Sequence, residues 1–192
     1  MGGLVTRWLV EQAGGDELVD KVIFCGTPHA GSPWPRVQDL AGAGIGLALN
    51  GLSGLTGPLA LATQALGFAV SALERVDVAL DDMKPGSEVL TKLAASPQPR
   101  LPYIAIAGDA PFGEDGDAGR AKRILAKLGE STVLATLFDE GPNDLAVSVK
   151  SATTFGAGWA ERPPHLDAHC NHLTYFASEP GLNAVEQALR QG

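Results

Sequence analysis

The sequence is short of most features that announce a specialised class. Among 192 residues there are two cysteines, Cys25 and Cys170. Two thiols cannot build a disulfide framework, so a small stapled secreted module is excluded, and the count fits a reducing, cytoplasmic setting. Positive charge is also scarce: 14 Lys and Arg against 22 Asp and Glu leave a net charge of −8. Sequence-independent binding to nucleic acid or to an anionic membrane needs a basic surface, so neither is an expected partner. No basic segment leads into an apolar core at the N-terminus, so no signal peptide is expected. Charged residues make up only 19% of the chain, yet 45% is hydrophobic, which is ample for a packed core and unlike a disordered sequence. Length alone suggests one complete domain.

What is present alternates between helical and extended signals. Leu4, Val5, Trp8 and Leu9 have helical spacing, with Trp8 expected on the core face, and Gly14-Gly15 closes the helix. Lys21-Val22-Ile23-Phe24-Cys25 is a short apolar run suited to a buried strand, and it ends in a Gly- and Pro-rich loop from Gly26 to Pro35. Residues 40–73 carry no charge, but glycines and a proline break them up. They read as short apolar helices of a mobile lid rather than as a membrane span. A helix is expected from Ser87, a second buried strand over 102–108, and an acidic loop from Asp109. Helical periodicity follows over 120–138, an extended segment near His165 to Cys170, and a last helix over 182–189. Strands alternating with helices predict an α/β fold with a mostly parallel sheet.

In such a sheet, functional groups gather beyond the carboxyl ends of the strands. Asp144, in Gly141-Pro142-Asn143-Asp144, is followed further on by His172, the acid-then-base order of a hydrolase triad. Taken alone, Asp144 is equally an ordinary turn residue. Asp109 and Asp139 are weaker acids, and His169, then His165, are rivals as base. His165, Asp167, His169, Cys170 and His172 also form a candidate metal cluster. The i, i+4 spacing of His165 and His169 suits zinc if they lie on a helix.

Several motifs in order raise the specificity of this reading. Met1-Gly2-Gly3-Leu4 looks like the tail of a G-x-S-x-G nucleophile elbow. Gly26-Thr27-Pro28-His29-Ala30-Gly31-Ser32 ends the next strand. Met83-Lys84-Pro85-Gly86-Ser87 follows the apolar stretch, and Gly108-Asp109 ends another strand. Asp144 precedes Val147, Val149 and Ser151, and His172 precedes Tyr175-Phe176. In these motifs the chain resembles the lipase and esterase branch of the α/β-hydrolases.

The resemblance implies a mostly parallel sheet flanked by helices, with its N-terminal strands missing from residues 1–192 and a helical lid inserted over 36–82. It implies Asp144 as triad acid, His172 as base, and the backbone N–H of Met1 as an oxyanion-hole donor. Thr27, His29 and Trp34 would border the pocket for a small hydrophobic ester, with no metal and no cofactor required. Leu173, Tyr175 and Phe176 would anchor the histidine segment, and Cys170 would be a small buried residue. The nucleophilic serine would fall just before Met1, so the 192 residues are expected to be a truncated form with little activity. Ser32 is the best local substitute but lacks the strand–turn–helix context of a nucleophile, and Ser151 is expected to serve structure. The alternative is a non-catalytic α/β remnant that binds an apolar ligand or a partner chain. An open sheet edge near Lys21 would favour self-association.

Overall fold

A computed structural model of the chain describes residues 1–33, 81–110, 141–144 and 146–191. Trp34, the lid up to residue 80, the helix expected over 120–138, and Asp139 lie outside the described residues.

The described elements are α1 (Gly2–Gln12), β1 (Val22–Cys25), α2 (Glu88–Ala94), β2 (Tyr103–Gly108), α3 (Val149–Ala152), β3 (His165–Ala168) and α4 (Glu179–Arg190). The strands form one parallel sheet in the order β1-β2-β3. Val22 pairs with Tyr103 and Cys25 with Ile106, while Ala105 pairs with His165. The protein therefore has an α/β fold with helices packed on its parallel sheet.

Strand periodicity of two sorts the core into two faces. Ile23 and Cys25 of β1 and Ile104 and Ile106 of β2 meet Ala184 and Ala188 of α4 on one face. Val22, Phe24, Tyr103 and Ala105 meet Val10 of α1 and Phe155 on the other. Because β2 is buried along its whole length, Tyr-Ile-Ala-Ile-Ala reads as a continuous apolar run instead of an alternating one. α4 lies close to the sheet because its buried positions, Gly181, Ala184 and Ala188, are small. Its ends are tied down separately. The Ser178 hydroxyl accepts from the Gly181 amide at the N-terminus. The Lys21 ammonium, just ahead of β1, donates to the carbonyls of Ala188, Leu189 and Gln191 at the C-terminus. A cation there satisfies orphan carbonyls and opposes the helix dipole.

The first helix is rotated from its expected phase. Leu4, Arg7 and Val10 are its buried residues, whereas Trp8 faces outward with Val5 and Leu9. Its inner face holds a buried ion pair instead of an indole. Arg7 contacts Glu11 at 2.7 and 3.0 Å and donates to the Leu93 carbonyl at 2.9 Å. The Tyr103 hydroxyl donates to Glu11 at 3.3 Å. The guanidinium also lies over the rings of Phe155 and Trp159, at 5.4 and 5.6 Å. A buried charge is tolerable only when its hydrogen bonds are met, and these contacts meet them. Trp8 is instead covered by the Lys92 ammonium, 5.8 Å from its ring.

The helical zinc spacing is not formed. His165 opens strand β3 and His169 lies just past its end, so about 13 Å of extended chain separates them. Among the described residues no three His, Cys, Asp or Glu side chains are placed to hold a metal. Also among the described residues, no helix is long and apolar enough to cross a membrane.

Candidate active site

Three loops converge beyond the carboxyl ends of the strands. The first follows β1. The Gly26 amide extends the ladder by donating to Ile106 O, and residues 27–32 then fold back into the protein. The second is the turn from Gly141 to Ser148. It is closed by an isolated bridge between Asn143 and Ser148 and by the Asp144 amide donating to Val147 O. Ser148 then caps α3, its hydroxyl accepting from Ser151 N. The third follows β3 and carries His169 and His172.

Hydroxyls lace the first loop to the second. Ser32 Oγ donates to Ala146 O at 2.7 Å. Ser151 Oγ donates to Gly31 O at 2.6 Å and accepts from the Ala30 amide at 3.2 Å. These bonds place the 141–148 turn against the end of β1.

Asp144 is the centre of the arrangement. Its side chain is 1% exposed, yet all its acceptor sites are used. Oδ1 accepts from the amides of Ala146 and Val147 at 2.9 and 2.7 Å. Oδ2 accepts from the Tyr175 hydroxyl at 2.9 Å and faces His172 Nδ1 at 2.8 Å. The His172 amide also donates to Asp144 O at 2.8 Å, so backbone and side chain hold the histidine together. The imidazole is 38% exposed. A carboxylate only accepts, so the Nδ1 facing it carries a proton, and in the neutral ring Nε2 keeps the lone pair.

The other candidates have different surroundings. His169 Nδ1 pairs with Asp109 Oδ1 at 2.9 Å in a second histidine–carboxylate contact, but that imidazole is 80% exposed. His165 sits at the amino end of β3, the opposite pole from His172. His29 is buried, packed between Phe24 and Phe155 at ring distances of 4.8 and 4.1 Å. It accepts at Nδ1 from Arg7 at 3.4 Å, and its Nε2 is buried without a partner. Thr27 is also buried; a Cβ on Gly3 would lie 2.1 Å from its hydroxyl oxygen, so the start of α1 packs directly on the loop after β1. Met1 heads that helix, its carbonyl accepting from Leu4 and Val5, and burial lowers the affinity of its amine for a proton.

Burial raises both thiols to about 11; the Asp144 charge is the next cause at Cys170. Neither is a ready nucleophile at neutral pH. In the histidine segment Tyr175 is buried, but Leu173 and Phe176 are exposed, so the tyrosine alone anchors it. The spacing H-x-x-Y is the sequence signal for this phenol, which reads as packing until its hydroxyl is seen on the carboxylate.

A carboxylate, an imidazole and a phenol thus gather at the carboxyl ends of the parallel strands of an α/β fold, where such folds usually place their sites. Residues 1–190 match the family described as "Domain of unknown function (DUF7379)", and the chain belongs to that family. No curated protein sequence matches the chain. Among solved structures it is similar to the crystal structure of the Bacillus licheniformis lipase BlEst2 in its mature form. The identity is 22%, the match covers 98% of this chain and 60% of that one, and the TM-score is 0.39. The chain thus spans 60% of that lipase's length.

Proposed function

We propose that Asp144 and His172 are the acid and base of a Ser-His-Asp hydrolase acting on carboxylic esters. The sheet is then part of an α/β-hydrolase-like domain, residues 36–82 its lid, and the substrate a small hydrophobic ester. One observation supports this most: a half-exposed imidazole bonded through Nδ1 to a buried, fully satisfied carboxylate beyond the ends of parallel strands.

The chemistry follows from the tautomer. Asp144 holds the Nδ1 proton and supports the positive charge that forms on the ring. Nε2 takes the proton of a serine hydroxyl as its oxygen adds to the ester carbonyl. The tetrahedral species collapses, the C–O bond to the alcohol breaks, and the alkoxide receives that proton from Nε2. Water repeats the sequence on the acyl-enzyme and releases the carboxylic acid. The hydroxyls of Ser32 and Ser151 are bonded to the carbonyls of Ala146 and Gly31. From the resemblance of Met1-Gly2-Gly3-Leu4 to the tail of a nucleophile elbow, the nucleophile is assigned to a serine position directly ahead of Met1, where α1 begins against the loop after β1. Thr27 and His29 then lie under the pocket wall, and the Met1 N–H serves the oxyanion.

The test uses the longest open reading frame containing these residues, assayed with short-chain nitrophenyl esters and a fluorophosphonate label. Turnover and labelling are expected, with His172→Ala abolishing turnover and Asp144→Asn lowering it by about 10⁴-fold. Full activity in His172→Ala would overturn the assignment. The 192 residues by themselves are expected to show neither turnover nor labelling, and robust labelling of them would contradict the place given to the nucleophile.

A further inference from the structure

Asp144 Oδ2 is shared: it receives the Tyr175 hydroxyl at 2.9 Å and faces His172 Nδ1 at 2.8 Å. The phenol is itself held, its oxygen accepting from the Gly108 amide at 2.7 Å. A continuous chain of hydrogen bonds therefore runs from the end of β2 through Tyr175 to the carboxylate and on to the histidine. Room for it is made by glycines at two strand ends. A Cβ on Gly26 would lie 2.5 Å from Asp144 Oδ2 and 2.9 Å from the Tyr175 hydroxyl oxygen. A Cβ on Gly108 would lie 2.8 Å from Asp144 Cβ and 2.9 Å from the same hydroxyl. Packing alone would be served by phenylalanine. The space left at both strand ends is space for a carboxylate and a hydroxyl in contact.

We propose that Tyr175 is a positioning residue that tunes the basicity of His172 through Asp144. The inference rests on the reading of Asp144 and His172 as an acid–base pair. The two donors compete for the charge of one oxygen. Each hydrogen bond that the phenol makes to Oδ2 withdraws density that would stabilise an imidazolium. Burial, then the charge of Asp144 and the hydrogen bond to it, push the phenol's titration well up, so it remains a donor wherever the histidine works. Among the described residues, the other titratable groups near the carboxylate are Cys170 and its neighbours. Cys170 feels Asp144, Cys25 and Asp109, and Asp109 is engaged with His169.

The experiment follows the His172 imidazole by NMR titration in the 192-residue chain, with the signal assigned by loss in His172→Gln. Tyr175→Phe is expected to raise the titration midpoint by about half a pH unit to one, the worth of one hydrogen bond. Asp144→Asn is expected to lower it by more. Biosynthetic 3-fluorotyrosine, a stronger donor, is expected to move the midpoint down without disturbing packing. Running it in Tyr103→Phe confines the label to Tyr175. In an active hydrolase the acidic limb of the kcat/KM profile moves with the midpoint.

A midpoint unmoved by Tyr175→Phe and by fluorotyrosine, but lowered by Asp144→Asn, would overturn the tuning role and leave the acid–base pair standing. A midpoint indifferent to Asp144→Asn would overturn the pair itself. If Tyr175→Phe does not fold, the fluorotyrosine shift alone decides.

Discussion

His29 is a histidine that does not titrate where histidines usually do. Burial, and then the charge of Arg7, hold its imidazole well below the ordinary 6.5. As the solution is acidified below pH 6.5, the unfolded chain takes up a proton here that the folded chain refuses. Folding stability therefore falls from that point downward and levels off only below the folded value. His29→Gln keeps an acceptor for Arg7 but cannot take up the proton in either state. Urea midpoints at about pH 7 and about pH 5.5 are expected to differ less in the variant than in the parent; equal differences would remove His29 as the source. The same network shows what the sequence hid. Trp8 reads as core because indoles are apolar, and no sequence motif singled out Arg7. The i+4 position of Glu11 was the available sign that Arg7 had a partner, but nothing local tells whether such a pair faces inward. The pairing of Asp144 with His172, by contrast, was suggested by their order and neighbours, and the two side chains are in contact. Tyr175 was legible as a buried ring and not as a hydrogen-bond donor, since that depends on two glycines distant in sequence.

The elements differ in how plainly their residues declare them. β2 was readable as a strand because both its faces are apolar, and α2 because Ser87 stands at its N-cap with its hydroxyl on the Leu90 amide. α4 was readable as a helix, though its buried residues are Gly181, Ala184 and Ala188 while Leu182 and Leu189 are exposed. Close approach to the sheet selected small residues over large ones there. Its C-terminus depends on Lys21, a residue far away in the chain that no helix-end rule would nominate. Lys21→Met keeps the aliphatic stem and removes the donor. We expect it to cost about 1 kcal/mol in chemical denaturation and to speed amide hydrogen exchange in the last turn of α4. An unchanged midpoint together with unchanged exchange would show that water replaces the ammonium without loss. Lys21 holds the C-terminal end of α4, whereas the Tyr175 segment packs at its other end against Gly181, so the His172 environment should survive this substitution.

At the scale of the molecule, β1 has a neighbour on one side only among the described residues, because the sheet runs β1-β2-β3. Val5 and Leu9 of α1 and Leu18 and Val19 of the turn leading toward β1 are exposed. An edge unpaired among the described residues, together with exposed apolar side chains, invites pairing with another chain. This favours, as a second reading, self-association or capture of a partner segment by the 192 residues. Light scattering after size exclusion is expected to show oligomers that grow with concentration, and charged substitutions at Val5 and Leu9 are expected to reduce them. A sharp monomer at all concentrations would exclude the open edge as an association surface. The net charge of −8 opposes such contacts, so added salt should promote them.

The sheet's register has one more consequence, and it concerns time. Val22 pairs with Tyr103, and Ala105 with His165; neither of these parallel ladders is closed by a hairpin. Each pairing must therefore close a long loop before any hydrogen bond of the sheet repays the lost chain entropy. The turn with Asp144, the segment with His172 and the Tyr175 phenol meet only once both closures are complete. Refolding should be slow for a chain of this size, in the millisecond-to-second range or beyond. The Asp144–His172 contact should appear late in it, after α1 and α4 have acquired their helical signal.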